Sequence, residues 1–230
     1  MKKLALFLAV ATACAATLAT ADVRDPVPDP DHDYEAPAPG TYRLPVIKTA
    51  ADGALLDSAG QSVRLAELTH GRITVMSIIY TRCAAAKACP YATGVLLQLH
   101  RESDEDAELA QNLRLVSMSF DPQNDTPARM ADFARMASRR PAAAPWHFVT
   151  TKSPAELQPI LAAYGQTVTR KENPADPTGP LNHTLRVFLL DPQGRIRNIY
   201  NSDTLDPRLV LADVRTLLLE QNRSTAATSP

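Results

Sequence analysis

Two cysteines six positions apart, Cys83 and Cys89, are the residues of this 230-residue sequence best suited to chemistry. A thiolate is both a nucleophile towards disulfides and a soft metal ligand, so a close pair in an oxidising compartment bridges, binds metal, or cycles between these states. The pair lies in Tyr80-Thr81-Arg82-Cys83-Ala84-Ala85-Ala86-Lys87-Ala88-Cys89-Pro90, directly after an apolar run. Pro90 disfavours a helical backbone at the residue before it and itself suits the first helical position, which predicts Cys89 as a helix N-cap. There its sulfur meets the positive end of the helix dipole, which favours thiolate. If the intervening residues were helical, the cysteines would stand about 240° apart round the axis and roughly 9 Å along it, outside disulfide reach. The Ala-Ala-Ala-Lys-Ala stretch has high helix propensity, so a loop that brings the sulfurs together must be imposed by the fold.

The elements around the pair alternate. Leu55 to Leu65 has two short apolar arms around Ala59-Gly60, the pattern of a hairpin. Ile73 to Tyr80 is a nearly unbroken apolar run, as in a strand buried on both faces. Pro90 opens a helix carrying Leu96, Leu97 and Leu99, and Leu113 to Phe120 forms the next strand, completing a βαβ unit. A helix from Pro127, a strand over Trp146 to Thr150 and a helix over Pro154 to Tyr164 follow, with Pro159 expected to kink the last or delay its start. Arg186 to Asp191 and Ile196 to Tyr200 flank the turn Pro192-Gln193-Gly194, and an amphipathic helix over Asp206 to Leu219 closes the chain. The expected fold is α/β: a mixed sheet with helices on both faces and an N-terminal hairpin, its site at the carboxyl end of the first buried strand.

The ends of the chain read differently. Met1-Lys2-Lys3, an Ala/Leu-rich run from Leu4 to about Leu18 and Ala19-Thr20-Ala21 form a secretory signal with cleavage after Ala21, preferred over a membrane anchor because the run is short of the ~20 apolar residues a span needs. Cys14 leaves with it; lipidation there is the minor alternative. Residues 22–41 form a Pro/Asp-rich linker, residues 42–222 one domain and residues 223–230 a polar tail expected to fray. A net charge of −1 with signs well mixed leaves no basic face for nucleic acid and no polybasic patch for anionic lipid.

Taken together, Tyr80-Thr81-Arg82-Cys83 with Cys89-Pro90, then Ser119-Phe120-Asp121-Pro122-Gln123-Asn124-Asp125-Thr126-Pro127, then Asn182-His183-Thr184 leading into Val187-Phe188-Leu189-Leu190-Asp191-Pro192-Gln193-Gly194, resemble the SCO/SenC family of copper chaperones. The resemblance runs from about Tyr42 to Leu219. It implies a thioredoxin-like fold, Cu(I) or Cu(II) held by Cys83, Cys89 and His183, and a periplasmic role in building the copper centre of a respiratory oxidase or in reducing that centre's cysteines. The implied partner is a copper-receiving oxidase subunit or another periplasmic cuproprotein. The sequence departs from the family in two places: five residues rather than three separate the cysteines, and Asn182 stands where Asp is common.

Two functions follow from the same residues. A metallochaperone needs a third ligand, for which His183 is the candidate, whereas a thiol-disulfide oxidoreductase or peroxiredoxin-like reductant needs only Cys83 and Cys89. The absence of a Cys-x-x-Cys motif and the match at His183 favour the chaperone over the enzyme. His32, His70, His100 and His147 lack ligand-spaced partners and are assigned no role. Asp121 and Asp125 read as turn and capping residues, with Asp125 or Thr126 capping the helix that Pro127 begins.

Overall fold

The computed structural model describes residues 34–137 and 143–228, so the signal segment, Cys14, His32 and most of the linker lie outside the described residues. Among the described residues ten strands and six helices follow in chain order: β1 (Lys48–Thr49), β2 (Ala54–Asp57), β3 (Ser62–Arg64), α1 (Leu65–Thr69), β4 (Ile73–Ile79), α2 (Cys89–Glu105), α3 (Ala107–Asn112), β5 (Leu113–Ser119), α4 (Pro127–Ala134), β6 (Trp146–Thr150), α5 (Pro154–Ala163), β7 (Val168–Arg170), β8 (Leu181–His183), β9 (Val187–Leu190), β10 (Arg195–Tyr200) and α6 (Pro207–Thr228). Eight strands make one mixed sheet in the order β1-β10-β9-β4-β5-β6-β2-β3, and β7 and β8 pair separately.

The apolar runs become the sheet centre. All seven residues of β4 are buried, because β5 flanks it in parallel and β9 in antiparallel orientation while helices cover both faces. The period of two divides its side chains. Ile73 and Val75 pack with Leu96 and Leu99 of α2 and Val214 and Leu217 of α6 on one face. Met76 and Ile78 pack with Leu157, Ile160 and Leu161 of α5 on the other. β4, α2 and β5 form the expected βαβ unit, and β2 and β3 the expected hairpin, with Asp57 accepting from the amides of Ala59 and Gln61 in its turn. β9 and β10 form the C-terminal pair.

The described end of the linker is docked. Gly40 N–H donates to Thr216 Oγ1 at 3.0 Å and the Tyr42 hydroxyl to Asp213 at 2.5 Å, both on α6. At the other end of the chain α6 runs to Thr228, into the tail expected to fray from 223; Arg223 and Ser224 bond back to the carbonyls of Leu219 and Glu220 one turn earlier. α5 starts at Pro154, its start not delayed, with Ser153 accepting from Glu156 N–H as its cap and Pro159 accommodated inside it. Among the described residues no helix is long and apolar enough to cross a membrane.

Candidate metal centre

β4 delivers the first cysteine to the carboxyl end of the sheet. Past Ile79 the chain turns, Cys83 N–H donating to Tyr80 O at 3.2 Å, and a second turn closes with Ala88 N–H on Ala85 O at 2.9 Å. The alanines therefore form a loop and not a helix, as the site requires. The helix begins one residue earlier than expected: Ala88, not Cys89, is the N-cap, Cys89 is the first helical residue and Pro90 follows it. The N-cap expectation for Cys89 is corrected accordingly. The reason is that the Ala85–Ala88 turn feeds directly into α2, Ala92 N–H bonding Ala88 O at 3.0 Å. Cys89 still sits in the first turn, within the field of the helix amino end.

The loop is held from below by carboxylates. Buried Asp125 accepts from Thr81 N–H at 3.0 Å, from the Thr81 hydroxyl at 2.5 Å and from the Ser119 hydroxyl at 2.6 Å. Asp121, nearly buried, pairs with Arg82 at 2.9 Å and accepts from Asn124. Thr126 alone caps α4, accepting from Arg129 N–H, so Asp125 serves the cysteine loop rather than the helix.

β8 delivers the histidine. The β7–β8 hairpin pairs Val168 with His183 and Arg170 with Leu181, and the Lys171 to Pro180 connection folds against the cysteine loop. Ala84 N–H donates to Thr178 O at 3.2 Å, and the Tyr80 hydroxyl to the same oxygen at 3.4 Å. Asp176 shapes this connection. Its carboxyl is held at about 2, lowered by the hydroxyl and amide of Thr178 and by Lys171. Gly179 is required at its position: its φ is +104°, and a Cβ there would come 2.1 Å from the Tyr80 hydroxyl oxygen.

These elements bring the three expected residues together. His183 Nε2 lies 3.4 Å from Cys89 Sγ and 3.9 Å from Cys83 Sγ, and all three ligand atoms lie within 4.8 Å of one another. Both cysteines are free thiols, 9% and 3% exposed. His70, His100 and His147 are not part of this group; His70 Nδ1 bonds Ala66 O, and His100 packs on Trp146.

The sulfurs titrate as a pair. Cys89 shares its proton with Cys83, which pulls the Cys83 thiol below its ordinary value; burial opposes this, and His183 and the amides of Cys89 and Ala85 add to it. The same shared proton, with burial, pushes Cys89 up. One thiolate is therefore ready at neutral pH and the second proton is held. Two soft sulfurs and an imidazole nitrogen at this spacing suit a thiophilic ion such as Cu(I) and accommodate Cu(II). The sulfurs are also close enough that a modest movement would bridge them.

Sequence reasoning passed over the aromatic walls. The ring of His183 stands edge-on to Tyr80, centroids 5.4 Å apart, and tilted against Phe120 at 5.1 Å, while Tyr80 and Phe120 contact each other at 5.0 Å. Burial, then the charge of Cys83, pushes the Tyr80 phenol up to about 12. Both aromatics end apolar runs and read as core; their adjacency to Cys83 and Asp121 in the sequence was the available signal.

The family model described as SCO1/SenC matches residues 47–219. The SCO1 protein homolog of Bacillus subtilis (strain 168) is 26% identical over 144 residues, 62% of this chain and 68% of the relative. The structure of Arabidopsis thaliana ScoI with copper bound superposes with a TM-score of 0.62 at 17% identity, covering 75% of this chain and 99% of that one. BsSco, described as a member of the Sco family of cytochrome c oxidase assembly proteins with a disulfide switch, gives 0.58 at 20% identity, covering 76% and 98%. The structural likenesses establish the thioredoxin-like fold.

Proposed function

The chain belongs to the SCO1/SenC family, and from that premise we propose that it is an exported, periplasmic copper-binding metallochaperone that serves the assembly of a respiratory oxidase. The observation that carries this reading is the convergence of His183 on Cys83 and Cys89 from a separate hairpin. Dithiol exchange has no use for a third donor; a soft-metal site does. The copper-bound Arabidopsis relative and the oxidase-assembly description of BsSco support the cargo and the recipient class.

In this reading copper is cargo. Cys83 offers a sulfur whose proton is already loosened, Cys89 gives up its proton as the ion enters, and His183 completes the set. The carboxylates of Asp125 and Asp121 fix the loop so that the sulfurs need not be ordered at each loading event. Export rests on the N-terminal signal sequence, which ends before the docked domain. The site also serves the receiving subunit in a second way if the thiol pair reduces that subunit's cysteines before transfer.

Mixing the copper-loaded mature protein with the copper-free soluble domain of an oxidase copper subunit tests delivery. Copper should move to the recipient and leave reduced cysteines behind. An oxidoreductase would take up no stoichiometric copper after reduction, and would reduce a disulfide substrate at full rate in the His183→Ala variant.

A further inference from the structure

A metal-ligating histidine ordinarily donates its second ring N–H to a carboxylate, carbonyl or water, which fixes both ring orientation and tautomer. His183 does not follow this pattern. Its Nδ1 is buried and has no hydrogen-bond partner among the described residues. Some other contact must hold the imidazole at the sulfurs.

We propose that Tyr80 is the positioning residue of this site, its ring orienting His183 in place of the missing acceptor and its hydroxyl tying down the hairpin that carries His183; this rests on the three-ligand site proposed above. Tyr80 is 1% exposed, and its ring meets the imidazole edge-on with an interplanar angle of 86°, the arrangement aromatic pairs prefer over face-to-face stacking. Phe120 packs against the imidazole beside Tyr80, tilted at 44°, and is itself braced by Tyr80. The two rings form one continuous wall against which the imidazole packs.

The hydroxyl acts on the backbone. It donates to Thr178 O, the carbonyl that also accepts from Ala84 N–H in the cysteine loop, so one oxygen joins the strand end, the loop and the hairpin. The bare Cα of Gly179 lets the hydroxyl approach this closely. The Tyr80 carbonyl accepts from Cys83 N–H at 3.2 Å. Tyr80 thus touches each of the two chain segments that supply ligands, and it is three residues from the first of them.

Tyr80→Phe and Tyr80→Leu separate the ring from the hydroxyl, and two readouts separate positioning from stability. In metal-free protein, the NOE NMR signals between the His183 ring protons and the Phe120 ring, which stand 5.1 Å apart by centroid, should be lost in Tyr80→Leu and kept in Tyr80→Phe. In protein loaded with Cu(II), nitrogen hyperfine coupling in the EPR spectrum should be lost in Tyr80→Leu and kept in Tyr80→Phe. Cu(I) affinity should fall by about 10-fold in the Leu variant, the lower range for loss of a residue that orients a ligand. Gly179→Ala, which forces the hydroxyl off the hairpin, should weaken the same NMR signals and provides the test if Tyr80→Leu does not fold. Unchanged NMR signals in Tyr80→Leu, or in Gly179→Ala where the first is unfolded, overturn the proposal. Wild-type protein that binds copper without nitrogen coupling would instead defeat the three-ligand site, and the metal-free NMR comparison would still decide the role of Tyr80.

Discussion

His183 Nε2 stands 3.4 Å from Cys89 Sγ although 94 residues separate them in the chain. Neither residue could reach the other without the sheet. β4 carries the cysteine loop to one end, and the separate β7–β8 hairpin returns the histidine to that same loop. The distance is a property of the whole domain, and changes that loosen the loop or the hairpin should act on the site even where they touch no ligand.

Asp125→Ala tests the loop. It removes the acceptor of three hydrogen bonds and strands the buried Ser119 hydroxyl and the half-buried Thr81 amide. The expected loss of stability is roughly 2–4 kcal/mol, from the cost of leaving buried donors unpaired. Asp125→Asn, which keeps one acceptor oxygen, should lose less. Urea denaturation of the metal-free proteins measures both; equal stability of Asp125→Ala and wild type would contradict the account.

The titration of the thiol pair makes a second prediction. Cys83 is the lowered member and Cys89 the raised one. In the reduced protein, iodoacetamide should label Cys83 before Cys89, at a rate nearly constant from about pH 6 to 8, because a lowered thiol is already ionised there whereas an ordinary cysteine titrates near 8.5. Peptide mass spectrometry identifies the labelled residue. A rate that climbs through pH 8 as for a free cysteine, or labelling of Cys89 first, would show the assignment to be wrong.

Much of the frame that does this was legible. β4, β5 and β6 were marked by apolar runs and β9 and β10 by runs on either side of Pro192-Gln193-Gly194, because strands buried on both faces leave few other residue choices. The β7–β8 hairpin was not. Val168–Arg170 and Leu181–His183 are short, largely exposed and joined by a long polar connection, so neither periodicity nor a tight turn announces them. α3 was missed for its length, although Asp106 caps it by accepting from Glu108 and Leu109 N–H. The three residues that converge were legible by type and order, and the Ala-rich loop by its conflict with Pro90; Tyr80 and Phe120 were not, since an aromatic at a strand end looks the same whether it fills a core or walls a site.

Alkaline pH gives a third prediction. Burial, then Asp213, raises Tyr200, and burial, then the hydrogen bond to Asp213, raises Tyr42 to about 12. Raised folded-state values mean that the unfolded chain loses these protons first as pH rises. The stability they contribute is fully present below about pH 10, the ordinary tyrosine value, and is lost as pH climbs from there towards 12. Denaturation curves between pH 8 and 11.5 should show a plateau and then a fall, and the fall should be shallower in Tyr42→Phe. An identical slope in wild type and variant would contradict this.

The central claim is that Cys83, Cys89 and His183 together hold one copper ion, and anaerobic Cu(I) titration of the reduced mature protein against a competing chelator tests it most directly. Wild type should bind one equivalent, more tightly as pH rises, since binding displaces the proton held on the sulfur pair. His183→Ala should bind more weakly but remain stoichiometric, because two thiolates still suit Cu(I), whereas Cys83→Ser and Cys89→Ser should each cost more. Stoichiometric binding that survives loss of both cysteines would contradict the account.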